Sequence, residues 1–324
     1  MDMPLVMRPP AGADRTALAD RICALSVEAW GADRSVTIIG VDPSMVALQQ
    51  QMLQFGQADS PALITGETGT GKELFARGLY LLSPRRKQPM LCVNCAIYHD
   101  TQLLASELFG HRRGSFTGAI ADRAGVFEEA DRGVVFLDEI AELSLPAQAM
   151  LLRTLSEGEI MRVGENRARH VDVRVIAATA RDLGAMVNDG TFRADLFYRL
   201  RFLRLSIPAV RERGDDWRLL VAHYLGRLNA RHGDAKSLSD AALSLLAGQP
   251  WSGNVREIKS AVELAAELPL NHSRWNRQRF FKPVSRRRTA AFGVTSSLAS
   301  VGAESRTLSR SPDTGTDAIT ARCS

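Results

Sequence analysis

Eight consecutive residues near the start of the chain have the spacing of a phosphate-binding loop. They follow an apolar run, 61–65, and open a run with helical periodicity. They are Gly66, Glu67, Thr68, Gly69, Thr70, Gly71, Lys72 and Glu73. Glycines let backbone N–H groups close around a phosphate, and the lysine can reach the β- and γ-phosphates of a nucleoside triphosphate. Glu73 occupies the position usual for serine or threonine, so we expect it to help hold Mg²⁺, directly or through water.

A pair of carboxylates, Asp138 and Glu139, ends a second apolar run at 134–137. The carboxyl ends of parallel strands share one edge of a sheet, so this pair is expected beside the phosphate loop. We expect Asp138 to bind Mg²⁺ and Glu139 to polarise the water that attacks the γ-phosphate. The expected ligands are therefore ATP and Mg²⁺.

Three arginines are further candidates for contact with phosphate charge. Arg193 and Arg199 are six residues apart, and they could form ordinary surface salt bridges. The alternative is that they neutralise the γ-phosphate of a neighbouring subunit. Arg256 begins the last predicted helix, and from there it could reach back over the nucleotide.

The elements that must position these residues change in character along the chain. Apolar strands alternate with helices and predict an α/β core whose parallel sheet is covered by helices on both faces. The residues that follow predict only helices, hence a small all-helical lid. The expected domains are a short N-terminal helical segment (1–37), the core (38–207), the lid (208–268) and a basic, disordered tail (269–324).

Composition narrows the class of protein. The 324 residues are 45% hydrophobic and 24% charged, which is typical of globular proteins. No apolar run approaches the roughly 20 residues of a membrane span, and no secretory signal is evident, so we expect a cytoplasmic protein. Cys92 and Cys95 could form a redox or metal-binding pair, but a strand that runs into a loop explains them better. Residues 271–324 hold ten Lys and Arg against three Asp and Glu, so the basic charge belongs to the tail.

A short loop lies between the phosphate loop and the acidic pair. It consists of Gly114, Ser115, Phe116, Thr117, Gly118 and Ala119. Small residues around one aromatic side chain suit a mobile finger that contacts another protein. The competing interpretation is a hairpin that buries Phe116 in the core.

Residues 39–267 closely resemble the central AAA+ ATPase domain of bacterial enhancer-binding proteins. These are transcription activators of the NtrC class, which act on sigma-54 RNA polymerase. The matching stretches are 107–111 with 114–119, then 125–130, 162–164, 192–200, 211–213 and 251–257. The family sequence at 114–119 is usually Gly-Ala-Phe-Thr-Gly-Ala.

The resemblance implies a ring, typically a hexamer, with ATP at the subunit interfaces. It marks Arg193 and Arg199 as arginine fingers and Arg256 as the second sensor. It also implies that Asn94 restrains Glu139. The 114–119 loop would contact the sigma-54 RNA polymerase holoenzyme and drive the closed promoter complex open.

Three departures from the family bear on these expectations. Ser115 replaces the usual alanine, which could weaken the sigma-54 contact. Ala180 stands where a polar residue, often asparagine, acts as first sensor, and we expect Thr179 to substitute only in part. No C-terminal helix-turn-helix is visible, so the basic tail offers DNA only non-specific attraction.

Two other function classes stay open from the sequence. One is an AAA+ ATPase that remodels a different protein or DNA target; such proteins lack the 114–119 loop. The other is a partner subunit of a mixed activator ring that has no DNA-binding domain of its own.

Overall fold

A five-stranded parallel sheet forms the centre of the fold. This computed structural model describes residues 15–98, 100–233, 236–238 and 240–267. The strands of the sheet are β1 (Ala62–Thr65), β2 (Met90–Asn94), β3 (Val134–Asp138), β6 (Arg174–Thr179) and β7 (Leu203–Ser206). Their order across the sheet is β2-β3-β6-β1-β7. The two-residue strands β4 (Glu159–Ile160) and β5 (Arg169–His170) pair separately and antiparallel.

Eight helices precede or connect these strands. They are α1 (Ala17–Trp30), α2 (Pro43–Gly56), α3 (Lys72–Leu81), α4 (Thr101–Phe109), α5 (Val126–Glu129), α6 (Leu145–Glu157), α7 (Leu183–Asn188) and α8 (Ala194–Leu200). Among the described residues, three more follow the last strand: α9 (Asp216–His232), α10 (Asp240–Ala247) and α11 (Asn254–Glu267). In the described part of the chain, no helix combines the length and the apolar character that a membrane span requires.

Alternate residues of each strand enter two separate hydrophobic clusters. Leu63 of β1 joins the cluster beneath α4 to α8, whereas Ala62 and Ile64 join the cluster beneath α1, α2 and α3. Successive side chains of a strand point to opposite faces, so a sheet with both faces covered requires continuous apolar strands. This explains the unbroken apolar runs in the sequence and confirms the α/β core with helices on both faces.

Several elements of the structure were not predicted individually, among them one strand of the sheet and one pair of short strands. The edge strand β7 was not predicted. It contains the charged residue Arg204 and is partly exposed, so it lacks the continuous apolar run of the other strands. The β4–β5 pair was also missed, since two-residue strands leave no periodicity. The predicted disorder of the tail, 269–324, lies outside the described residues.

Parallel pairing brings the carboxyl ends of the strands to one edge. Thr65 pairs with Thr179, and Asn94 with Asp138. The phosphate loop, the acidic pair and Ala180 follow directly at that edge. The topology therefore assembles the candidate site there.

Candidate nucleotide site and the 114–119 turn

The phosphate loop connects β1 to α3 in a tight, left-handed path. Gly69 and Gly71 have φ values of 82° and 101°, which favour glycine. A Cβ atom at Gly69 would also overlap the carbonyl oxygen of Gly253 in the lid. Lys72 is only 7% exposed, and its Nζ donates to the Gly66 carbonyl at 3.1 Å. The ammonium group is thus held at the mouth of the loop.

The acidic pair lies directly against that lysine. A Glu139 carboxylate oxygen is 3.5 Å from Lys72 Nζ, and the Glu139 backbone is left-handed with φ 52°. Burial, with help from the Glu139 charge, raises the pKa of Asp138 above its ordinary value. The two neighbouring carboxylates repel each other, and a cation bound beside them would reduce that repulsion.

Glu139 is oriented by the segment that follows β6. Its carboxylate accepts a hydrogen bond from the Ala180 N–H at 3.1 Å and a longer one from the Thr179 hydroxyl at 3.4 Å. The Ala180 side chain contributes nothing to this contact, so the backbone supplies the donor. Thr179 therefore lies where a partial substitute for the missing polar side chain at position 180 was expected.

Asn94 reaches the same edge from β2 but contacts other atoms. Its side-chain oxygen accepts a hydrogen bond from the Ala96 N–H at 3.0 Å and caps the following turn. Among the described residues, the Glu139 carboxylate pairs with Lys72, Thr179 and Ala180. In this conformation Asn94 is a neighbour of the acidic pair through strand pairing.

Glu73 opens α3 and is occupied by a neighbouring arginine. Arg77 donates two hydrogen bonds to its carboxylate, at 3.0 and 2.7 Å. No cluster of three or more His, Cys, Asp or Glu able to hold a metal occurs in the described ranges. The carboxylates near the loop, Asp138 and Glu73, offer oxygen ligands of the kind that suits Mg²⁺.

The lid closes over the phosphate loop through several contacts. Arg256 N–H donates to the Gly69 carbonyl at 3.3 Å. Arg211 forms a two-pronged ion pair with Glu67, which Asn254 also contacts at 3.1 Å. The hydrogen bonds from Arg211, then from Asn254, lower the pKa of Glu67 to about 2. The loop is therefore held by charge as well as by backbone geometry.

Arg193 and Arg199 lie at opposite ends of α8. Arg193 precedes the helix and pairs with Asp195 at 2.7 Å. Arg199 donates to the Leu155 carbonyl at 3.0 Å and lines a cavity of about 420 Å³ with Pro61. Pro61 lies just before β1, and the phosphate loop lies just after it. Arg199 is therefore near the amino end of β1, at the end of the strand opposite its own phosphate loop.

The 114–119 loop forms a compact projecting turn. Gly114 N–H donates to the Ala119 carbonyl at 2.8 Å, and the two glycines have φ values of 79° and 109°. Thr117 is exposed, while Phe116 is half-buried with its ring edge against His111, 5.0 Å between centroids. Phe116 therefore packs at the base of the turn and does not enter either core cluster.

The stem of this turn is joined to the rest of the core. His111 pairs with Arg123 on the returning strand and with Val163 beside it. Phe109 stacks on Phe127, with 5.3 Å between ring centroids. The Ser115 Oγ atom is buried without a hydrogen-bond partner among the described residues.

These features define the class of protein. A parallel sheet with a phosphate loop after β1, an acidic pair after β3 and a helical lid is the AAA+ P-loop fold. Residues 38–206 match the family model described as the sigma-54 interaction domain, and residues 211–274 match the AAA+ ATPase lid domain. The chain belongs to the sigma-54 interaction domain family.

Its relatives are transcription regulators. The chain is 48% identical over 236 residues to the anaerobic nitric oxide reductase transcription regulator NorR of Escherichia coli O157:H7, covering 72% of this chain and 47% of the relative. NorR of Shigella flexneri matches to the same extent. The crystal structure of NtrX from Brucella abortus in complex with ATP aligns with a TM-score of 0.65 and 33% identity, over 72% of this chain and 50% of that one. The chain thus spans about half the length of the curated relatives it matches.

Three residues at or beside the site were not predicted from the sequence. Asn254 and Arg213 contact the phosphate loop, yet nothing local in the sequence marks them as loop partners. Ile120 directly follows Ala119 and is 84% exposed. Its place next to the 114–119 turn could have marked it as a further candidate for contact. Only the tertiary structure brings the first two to the loop.

Proposed function

We propose that this chain is an ATPase that uses hydrolysis to remodel the closed promoter complex of sigma-54 RNA polymerase. The observation that carries the proposal is the union of two features in one core. One is the buried Lys72 beside Glu139, and the other is the projecting 114–119 turn. Family membership supports the same partner.

The chemistry follows from the residues at the sheet edge. The backbone N–H groups of the 66–73 loop that are not used within the loop bind the phosphates together with the Lys72 ammonium, and Asp138 and Glu73 would hold Mg²⁺. Mg²⁺ supplies charge neutralisation of the phosphates when bound. Glu139, oriented by the Ala180 N–H and Thr179, accepts the proton of the attacking water. Because Lys72 lies only 3.5 Å from Glu139, a phosphate that draws Lys72 away changes the partners of Glu139.

That change of partners is the trigger for movement of the 114–119 turn. Asn94 is the strand-pairing partner of Asp138, and Glu139 is the next residue along the chain after Asp138. Asn94 and Arg256 then act as sensors of the γ-phosphate, and the 114–119 turn responds to the two positions of Glu139. Thr117 and Phe116, with Gly114, Ser115, Gly118 and Ala119 as the scaffold, form the sigma-54 contact, and Ile120 adds exposed apolar surface.

Arg193 and Arg199 act in trans in a homo-hexamer or mixed ring. Support comes from the place of Arg199 at the edge of the sheet opposite its own phosphate loop. Mixing inactive Lys72→Ala and inactive Arg199→Ala chains tests this, because a mixed ring contains interfaces that carry both intact residues. Partial recovery of ATP turnover is expected. No recovery, with mixed rings verified by mass, contradicts action in trans.

ATP turnover and sigma-54 contact can be tested separately, by variants of the nucleotide site and of the 114–119 turn. Lys72→Ala and Glu139→Gln are expected to abolish ATP hydrolysis. Thr117→Ala is expected to keep hydrolysis, because Thr117 is an exposed residue of the 114–119 turn, but to lose capture of sigma-54. Equal sigma-54 capture by wild type and Thr117→Ala would remove the role assigned to the loop.

A further inference from the structure

Three successive carbonyl groups of the phosphate loop are hydrogen-bonded from the lid side. All three donors come from residues that follow the core, two from side chains and one from the backbone. The pairs are Thr68 with Asn254 at 3.1 Å, Gly69 with the Arg256 N–H at 3.3 Å and Thr70 with Arg213 at 3.3 Å.

These bonds fix the direction of the loop's amide groups. No cis peptide bond occurs in the described chain, and in a trans peptide the C=O and N–H bonds point in opposite directions. Holding the carbonyls of Thr68 and Thr70 toward the lid therefore turns the N–H groups of Gly69 and Gly71 away from it. The N–H of Thr70 is used within the loop, where it donates to the Glu67 carbonyl at 3.3 Å.

Asn254 is the most constrained of the three donors. It is fully buried and left-handed, with φ 54°. Its side-chain oxygen accepts from the Val210 N–H at 2.8 Å, and its NH₂ group donates to Glu67 as well as to Thr68. The Asn254 carboxamide, at the start of α11, thus links Val210, where the lid begins, to the phosphate loop.

We propose that Asn254 is a positioning residue that, together with Arg213, presets the amide groups of Gly69 and Gly71 for the phosphates of the nucleotide. Docking of the lid and binding of phosphate then stabilise each other, while recognition of the nucleoside does not depend on Asn254. The inference rests on the proposed nucleotide binding and specifies which part of the ligand the lid controls.

Asn254→Asp is the sharpest test, because it keeps the acceptor for Val210 and replaces only the donor that faces the loop. The new carboxylate faces the Thr68 carbonyl and the Glu67 carboxylate. Asn229→Asp is the matched control: the Asn229 side chain donates to the Lys236 carbonyl at 2.8 Å and accepts from the Lys236 N–H at 3.2 Å, and both of these hydrogen bonds lie within the lid. Asn254→Gly is the second variant, since glycine tolerates the left-handed backbone.

Calorimetric titration of each full-length variant with ADP and with adenosine gives the readout. Asn254→Asp and Asn254→Gly are expected to weaken ADP binding about tenfold or more and adenosine binding less than about twofold. Asn229→Asp is expected to change neither. Equal weakening of ADP and adenosine, or unchanged ADP binding by a folded Asn254 variant, overturns the positioning role. A wild-type chain that binds neither ATP nor ADP overturns the proposed function itself.

Discussion

Ser115→Ala is expected to stabilise the packed form of the 114–119 turn. The Ser115 hydroxyl is buried without a hydrogen-bond partner among the described residues, and its Cβ packs against Gly164. Alanine removes the unsatisfied hydroxyl and keeps the Cβ contact. Desolvating an unpaired hydroxyl costs about 1–3 kcal/mol, so the free energy for opening the turn rises by about 1–2 kcal/mol.

Hydrogen exchange of the turn amides measures that opening. The Gly114 N–H donates to the Ala119 carbonyl, and the Ala119 N–H donates to the Phe116 carbonyl at 3.1 Å. A gain of about 1–2 kcal/mol slows exchange of these two amides about 5- to 30-fold. Amides in β3 report global stability and serve as the internal reference.

Gly164→Ala provides the opposite perturbation. A Cβ at Gly164 would lie 2.6 Å from the Ser115 Cβ, so the packing of Ser115 against residue 164 must be disturbed. Faster exchange at Gly114 and Ala119 is expected in this variant. If Ser115→Ala leaves the exchange unchanged or accelerates it, the buried hydroxyl does not strain the turn and the reasoning fails.

Three other changes probe the site and its support. Ala180→Asn adds a side chain beside the N–H that holds Glu139, and a severalfold change in ATP turnover is expected; unchanged turnover rejects the sensor argument. Glu67→Gln should lower the thermal midpoint above pH 4.5, and the deficit should shrink as the pH falls toward 2, because the lowered pKa of Glu67 adds stability only while the carboxylate is ionised. Arg174→Met removes a buried guanidinium that donates to the last carbonyls of α2 at 2.9 and 2.7 Å. The two carbonyls lose their charged donors, so a loss of about 1–3 kcal/mol in urea unfolding is expected, and a neutral result would contradict it.

The sequence predicted those parts of the site that are local in the chain. The phosphate loop, Asp138 and Glu139 follow apolar strands whose carboxyl ends must share an edge, so their proximity followed from topology. Asn254 lies nearly two hundred residues from Glu67, and no local pattern marks that contact. The same limit applies to the Ala180 N–H, because a backbone donor has no signal in the residue type.

The 114–119 turn shows a different limit. Its composition indicated an exposed finger, and the exposed Thr117 agrees with that expectation. The packing of Phe116 on His111 and the unpaired Ser115 hydroxyl depend on the stem pairing with Val163, which is remote in sequence. Side-chain environment at a loop therefore needs the tertiary structure even when the loop itself is evident.

Promoter opening by sigma-54 RNA polymerase tests the central claim most directly. The assay follows ATP-dependent conversion of a preformed closed complex to an open complex, with wild-type chain and with Thr117→Ala at equal ATP turnover. Open complexes are expected with the wild type and ATP, and their loss with Thr117→Ala. A wild-type chain that hydrolyses ATP yet never opens the promoter, or a Thr117→Ala chain that opens it equally well, contradicts the account.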